Sequence, residues 1–390
     1  MTPPLPVDAP TPILSEEPSR PSLGMVRQLT DRRVFAALLE AGTLTRAAIA
    51  ARTGISKPTI SESVRRLIEA GVVAEDGPEV GGRGRAGTSC RLRPDAATGL
   101  AVSVGPDGVV VDTFDLMGDP IAHVEQPVPP PPLEGRDLAP VLRAAVDSAV
   151  ARTPGPVRSC AVSVAGPVDR RTGALLPLPH APFLLGEFAA AEVLHGLAPD
   201  VEVDNDVNWA ALAEQRDGNA ADLDDFVLAY LGAGIGGAVV LGGRVVRGAS
   251  GLAGELAHVR TAGPAGQSRT LVESFTDWGL MRPGSEAIDV DRVRRLLTST
   301  SAPDRRTGDA IATAVAGALS SVVALLDPQG LLLGGPWGST PGFLERVAER
   351  LDPGDRGLLV RPTALIGAPY RDGVRLRAVA AARQAVADAF

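Results

Sequence analysis

The sequence predicts an α/β body preceded by a small winged helix-turn-helix domain. Three observations carry that expectation. Between residues 30 and 71 three short amphipathic segments are separated by glycine stops, and two short strands follow around a Gly/Arg-rich turn. After Pro94 the pattern changes to alternating strands and helices, the signature of an α/β body. Charge is also uneven: the chain carries a net −8, yet residues 20–93 hold 13 basic and 7 acidic side chains, a net of +6. A basic module on an acidic body fits a nucleic-acid-binding head on a sensor or enzyme.

The elements of the head follow in order. Residues 1–22 are rich in Pro, Ser and Thr without periodicity and read as a disordered tail. Residues 30–41 place Val34, Leu38 and Ala41 on one helical face, and Gly42 stops the helix. A second helix spans 45–52 and ends at Gly54. Ser56 caps a third, with Pro58 tolerated in its first turn and Ile60, Val64, Leu67 and Ile68 as its buried stripe. Residues 72–74 read as a strand, 81–87 as a mobile basic turn and 89–92 as the returning strand.

That spacing, with its sharp turn at Thr53-Gly54-Ile55, puts the N-terminal end of the third helix in a DNA major groove. Ser56, Lys57, Pro58, Thr59 and Ser61 stand at that end, where small hydroxyls and one cation suit base edges and phosphates. Arg65 and Arg66 lie further along, nearer phosphates, and Thr45 and Arg46 open the second helix. Gly82-Arg83-Gly84-Arg85 reads as a wing tip, whose Arg83 and Arg85 can reach a minor groove.

In the body, residues 100–104 and 109–114 form a hairpin around Pro106-Asp107-Gly108, and 127–132 a proline-rich loop. A helix over 138–151, a strand over 157–164, a strand over 201–203 and a helix from Val207 follow. Strands at 226–231 and 238–241 flank a glycine-rich turn. A long apolar helix covers 311–326, a buried strand 331–333, and a closing helix 374–389. No apolar run reaches the roughly 20 residues of a bilayer span and no basic segment leads an apolar stretch at the N-terminus, so a soluble, cytoplasmic chain is expected. Cys90 and Cys160, the two cysteines, suggest neither a disulfide framework nor a zinc cluster.

The run from Leu44 to Ser61 and the wing from Gly81 to Arg85 resemble the head of the ROK family (repressors, open reading frames and sugar kinases), and the resemblance continues through the body. Ala165-Gly166-Pro167-Val168-Asp169 is similar to the family's A-G-P-V-D turn, and Asp204-Asn205-Asp206-Val207-Asn208-Trp209-Ala210 to its N-D-x-N-x-A segment. Leu231-Gly232-Ala233-Gly234-Ile235-Gly236-Gly237 resembles its second phosphate loop, and Gly254-Glu255-Leu256-Ala257-His258 its G-E-x-G-H motif. Asp327-Pro328 with Leu332-Leu333-Gly334-Gly335 resembles its nucleotide-proximal end. The resemblance implies two actin-like lobes flanking a cleft. It further implies that Gly166, Asn205, Asp206, Glu255, His258 and Glu273 bind a sugar, Asp206 being the general base in the kinases. The residue chemistry agrees. A sugar needs carboxylates and amides for adjacent hydroxyls, Asn205 and Asp206 follow a strand, and Glu255 and His258, three apart, share a helical face.

Two departures stand out. Where the family's first phosphate loop reads D-x-G-x-T, this chain has Ser103-Val104-Gly105-Pro106-Asp107; Ser103 replaces the metal-holding carboxylate and Pro106 removes a backbone donor. The family's zinc loop, C-x-C-G-x-x-G-C, falls within 259–272, which holds no cysteine, so structural zinc is expected to be absent. An asparagine that family members use for sugar contact is also missing around 176–183.

The expected organisation is a tail (1–22), a winged helix-turn-helix domain (23–93), a first lobe (94–203 plus 374–390) and a second lobe with a dimerisation surface (204–373). The expected function is a cytoplasmic DNA-binding regulator, a repressor of carbohydrate-related genes. It senses a sugar in the cleft and has neither kinase activity nor a zinc or ATP cofactor. Its partners are a pseudo-palindromic operator and a second or further copies of itself. The alternatives are a sugar kinase fused to a DNA-binding head, and a ligand-independent dimeric scaffold.

Overall fold

A computed structural model describes residues 22–76, 88–179, 182–351 and 357–390. The expected tail (1–22, apart from Ser22) and wing tip, with Arg83 and Arg85, lie outside the described residues. The chain divides into two compact units, Met1–Arg93 with Ala389–Phe390, and Pro94–Asp388.

In the first unit, α1 (Leu23–Ala41) is followed by β1 (Thr43–Thr45), α2 (Arg46–Thr53), α3 (Lys57–Glu69), β2 (Val73–Asp76) and β3 (Ser89–Leu92). The first helix starts seven residues before the apolar periodicity does, because the Ser22 side chain caps it by accepting from Met25 N. The expected stops at Gly42 and Gly54 both adopt positive φ, 74° and 71°, which glycine permits without a Cβ clash. The strand β1, which the sequence reading left unassigned, pairs with β3, giving the order β1-β3-β2. Val34, Leu38, Ile49, Ile60, Val64 and Leu67 form the core of the tri-helix.

The second unit contains two five-stranded sheets. The first comprises β4 (Thr98–Gly105), β5 (Gly108–Asp115), β6 (Pro120–Gln126), β8 (Val157–Val164) and β10 (Val201–Asn205). Between them lie β7 (Leu133–Glu134), α4 (Gly135–Val150), β9 (Leu184–Leu185) and α5 (Ala190–Val193). The helix α6 (Asp206–Asp217) leads to the second sheet, whose first three strands are β11 (Phe226–Leu231), β12 (Ile235–Leu241) and β13 (Arg244–Val246). Next come the hairpin β14 (Arg260–Ala262) and β15 (Ser268–Thr270), then α7 (Leu271–Asp277), α8 (Val290–Thr298) and α9 (Ala302–Leu326). The strand β16 (Gly330–Gly334), α10 (Phe343–Leu351), β17 (Leu359–Pro362) and α11 (Pro369–Asp388) complete the chain.

The two sheets share one topology. Their orders are β6-β5-β4-β8-β10 and β13-β12-β11-β16-β17, each an antiparallel three-strand meander extended by two parallel strands. The duplication makes the β4–β5 hairpin equivalent to the β11–β12 hairpin. The core of the first sheet includes Val102, Leu142 and Val162, and that of the second Leu319, Leu333 and Phe275. The helix α11 closes the first sheet rather than the second: Ser159 Oγ donates to Ala378 O at 2.6 Å, and a Cβ on Gly99 would lie 2.8 Å from that carbonyl oxygen. At the other end of the same helix, a Cβ on Gly373 would meet Trp209 O at 1.9 Å, so α11 and α6 touch backbone to backbone.

Contrary to the expectation that no segment is long enough, α9 is long and apolar enough to cross a membrane by length and composition. Its Ile311, Val315 and Leu319 are instead buried in the core of the second sheet, the reason for its apolar character.

Candidate functional site

The α3 helix presents an exposed end. Lys57, Pro58, Thr59 and Ser61 are all exposed, and Ser56, the N-cap, binds Thr59 through both its backbone N–H and its hydroxyl, at 3.5 and 2.8 Å. Thr45 caps α2 by accepting from Ala48 N, and Arg46 pairs with Glu75 of β2. The two arginines of α3 are placed differently. Arg65 is exposed and bridges Glu62 and Glu69 at 2.8 and 2.6 Å. Arg66 turns inward, its Nε and Nη2 donating to buried Asp31 of α1 at 3.0 and 2.6 Å, and Ser63 Oγ donates to the same carboxylate. Arg66 therefore braces α3 on α1 with the group that the sequence reading assigned to phosphate.

In the body, two adjacent glycines of β12 admit chain on either side. A Cβ on Gly236 would sit 2.5 Å from Val207 Cγ2, and one on Gly237 would sit 2.5 Å from Gly254 O. Successive strand residues face opposite sides, so this strand receives the start of α6 on one face and the Gly254–Leu256 segment on the other. Asp206 opens α6 and Glu255 follows Gly254, and the Asp206 charge acts on Glu255. Burial pushes Asp206 up to about 7, opposed by the Val207 N–H that its Oδ1 accepts at 2.9 Å. Burial pushes Glu255 up to about 7 as well, and the Asp206 charge adds to it. Both tyrosines of the chain, Tyr230 and Tyr370, join them. Burial raises both phenols, Tyr230 to about 12, and the charges of Asp206 and of Asp107 at the β4–β5 turn act in the same direction.

The remaining expected ligand residues occupy distinct places. Asn205 caps α6, its Oδ1 accepting from Val207 N at 2.7 Å. Gly166 lies in the loop after β8; that loop reaches the segment leading to Glu255, since a Cβ on Gly251 would meet Val168 O at 1.9 Å and Arg170 donates to Gly248 O at 2.9 Å. Glu255 and His258 flank a single 3-10 turn, Leu256–His258, not an α-helical face. Glu273 is the N3 residue of α7, where it closes a capping box with Thr270; its carboxylate accepts from Thr270 N at 2.8 Å, which holds it below the usual carboxylate range. The Asp206 charge thus acts on Glu255, and the Glu273 carboxylate is engaged locally.

Residues 259–272 form the β14–β15 hairpin, registered by Arg260 opposite Thr270. The side chains there do not supply a zinc set, and among the described residues no three metal-ligating groups cluster. Cys90 and Cys160 are buried in different units, and burial pushes the Cys160 thiol up to about 12. The first-loop residue Ser103 is buried beside Ser163 of the parallel strand β8, so no carboxylate occupies that position.

Several groups with a place in the site were not read from sequence. Asp204 is buried and accepts from Arg247 Nε at 2.6 Å and Asn208 Nδ2 at 2.7 Å, tying β10 to the end of β13. Glu214 is fully buried and accepts from the backbone N–H groups of Ala364 and Leu365, at 3.1 and 2.8 Å. A cavity of about 910 Å³ opens beyond β16, lined by Tyr230, Arg294, Arg295, Gly335, Thr340 and Thr363. Spacing gave no signal for these groups, because their partners lie far away in the chain.

A winged helix-turn-helix joined to a two-sheet, sugar-kinase-like body defines the class. The chain belongs to the ROK family: that family's model matches residues 100–272, and a winged helix-turn-helix DNA-binding model matches residues 27–74. The beta-glucoside kinase of Listeria monocytogenes is 30% identical over 211 residues, covering 50% of this chain and 70% of the kinase. The bifunctional enzyme NanE/NanK of Brucella suis is 37% identical over 171 residues, covering 43% and 31%. The N-acetylglucosamine repressor of Escherichia coli O6:H1 is 24% identical over 242 residues, covering 61% and 59%. The chain thus spans about a third of the bifunctional enzyme and 59% of the repressor. Among solved structures, a ROK family transcriptional regulator homologous to the E. coli MLC protein covers 93% of this chain and 97% of its own at 20% identity, with a TM-score of 0.65. The ROK hexokinase of Thermus thermophilus covers 72% and 97% at 26% identity, with a TM-score of 0.57.

Proposed function

We propose that the chain is a DNA-binding repressor of carbohydrate-related genes. In this reading its body senses a sugar or sugar derivative, and the protein acts as a homo-oligomer on a pseudo-palindromic operator. The observation that carries the reading is two desolvated carboxyl groups, Asp206 and Glu255, with the Asp206 charge acting on Glu255, together with a first hairpin that reads Ser103-Val104-Gly105-Pro106-Asp107. Two carboxyl groups with two phenols nearby offer acceptors and donors for adjacent hydroxyls. A serine at the metal-holding position and an aspartate at the turn give transferring phosphoryl oxygens little stabilisation. The exposed N-terminal end of α3 supports the DNA-binding half, as do the repressor and regulator relatives.

The test is thermal-shift screening of the full chain against mono- and disaccharides, their phosphates and amino sugars, followed by operator binding with each hit. A ligand that stabilises the protein and alters operator affinity is expected, since binding to the native state raises stability by mass action. Operator binding indifferent to every stabilising carbohydrate removes the sensor half.

A second reading, a sugar kinase carrying a DNA-binding head, is favoured by one observation. An Asp206 carboxyl near 7 suits a general base at neutral pH. ATP turnover on any sugar, abolished by Asp206→Asn, replaces the first reading with this one.

A further inference from the structure

On α3, Ile60, Ser63, Val64 and Leu67 are buried and Pro58, Ser61, Glu62, Arg65 and Glu69 are exposed. At 100° per residue, Glu62 stands nearly opposite the buried stripe and one turn into the helix. The buried Asp31 brace on Arg66 and Ser63 fixes the rotation of α3 about its axis, so this face is the one turned outward. The face is not a cationic grip. Lys57 and Arg65 are balanced by Glu62 and Glu69, and Glu62 is held by Arg65 at 2.8 Å. Arg65 keeps the Glu62 carboxyl below its usual range, so it enters any complex ionised.

A carboxylate at the centre of a groove-facing surface is repelled by every phosphate it passes. Apart from Arg65 of its own helix, only a base-edge donor compensates it in the groove, and the major groove offers two: cytosine N4 and adenine N6. Adenine sets its N7 acceptor beside N6, which repels a second carboxylate oxygen, whereas cytosine does not. The guanine paired with that cytosine presents O6 and N7, the acceptors that an arginine takes. We infer that Glu62 is a specificity-determining residue that reads cytosine in the operator, and that it positions Arg65 toward the paired guanine. The inference rests on the DNA-binding reading above and adds the base that the helix selects.

The test is selection from a random duplex library by the full-length protein, repeated with Glu62→Gln and Glu62→Ala. Both variants change an exposed side chain, and circular dichroism checks that they fold. The wild type is expected to require cytosine at one position of each half-site. Glu62→Gln moves that position toward adenine, whose N6 and N7 suit an amide. Glu62→Ala makes the bases there equivalent, with a loss of discrimination of about tenfold or more, and it raises affinity for unselected DNA at low salt, which loss of a merely structural contact does not do. Variants that select the wild-type sequence with unchanged discrimination overturn the inference and leave the DNA-binding reading standing. A wild-type protein that enriches no sequence and binds no duplex overturns both.

Discussion

Replacing Glu255 by glutamine is expected to make the body more stable, by an amount that grows as pH rises from about 4.5 and levels off above about 7. Burial and the Asp206 charge lift this carboxyl from 4.5 to about 7, and a shift of about 2.5 pH units corresponds to about 3 kcal/mol. The folded value lies above the unfolded one. Its contribution to stability is therefore full below about 4.5 and is lost as pH rises through about 7. At pH 5 the wild-type group is protonated, and glutamine, similar in shape and charge, changes little. At pH 8 the wild type carries a desolvated charge that the variant lacks, so the variant is favoured by up to about 3 kcal/mol. Burial raises Asp206 to about 7 as well, so Asp206→Asn with Glu255→Gln flattens the pH 5–8 stability profile further than either change alone. Urea unfolding followed by tryptophan fluorescence reads this directly, because Trp209, Trp278 and Trp337, the three tryptophans, all belong to the body. Equal stability of wild type and Glu255→Gln at pH 8 refutes the burial of the Glu255 carboxyl.

Three further outcomes follow from the packing. Asp31→Asn leaves Arg66 without its carboxylate; with the arginine side chain 30% exposed, water offsets part of the loss, and about 2 kcal/mol is expected, measured as faster hydrogen exchange of the α3 amides. Gly237→Ala drives a Cβ to 2.5 Å from Gly254 O, and about 2–3 kcal/mol of overpacking cost should appear in urea unfolding; an unchanged midpoint disproves the close approach. Trp337→Phe strands the buried carbonyl of Gly232, which accepts from Trp337 Nε1 at 2.8 Å, and is expected to cost about 1–3 kcal/mol in the same assay.

How far each region was legible follows from the range of the interactions that built it. Caps and stops are local, so Ser56, Gly42 and Gly54 could be read one residue at a time. Strands 89–92, 157–164 and 226–231 agree with the sequence reading residue for residue: the first alternates buried and half-buried positions after a turn, and the other two are largely apolar. The strand β6 was missed, since its burial is confined to Val124 and its exposed Glu125 and Gln126 look like loop. The acid pair was legible only through the family resemblance, because what joins Asp206 to Glu255 is a close approach of two glycines to chain far away. Arg66 shows the limit in the other direction: a basic residue on a recognition helix suggests phosphate until Asp31, 35 positions earlier, is found beneath it.

The duplicated sheets sharpen the choice between sensing and phosphorylation. Their equivalent hairpins hold the two stretches that resemble the family's phosphate loops, and the first of them departs from the family pattern. In the first, Pro106 has no N–H, and Asp107 adds a negative charge within reach of Tyr230 and Tyr370. In the second, Gly232 N already donates to Gly234 O at 2.9 Å, and the Gly232 carbonyl is taken by Trp337. The acid pair depends on neither hairpin's donors. It is set by Gly236 and Gly237, whose missing side chains admit α6 and the Gly254 segment. The hairpins and the acid residues are thus built by separate contacts: substitutions in the hairpins leave the packing at Gly236 and Gly237 untouched. The proposed sensor rests on the second of these alone, and sugar-dependent ATP turnover that is lost in Asp206→Asn reverses the choice.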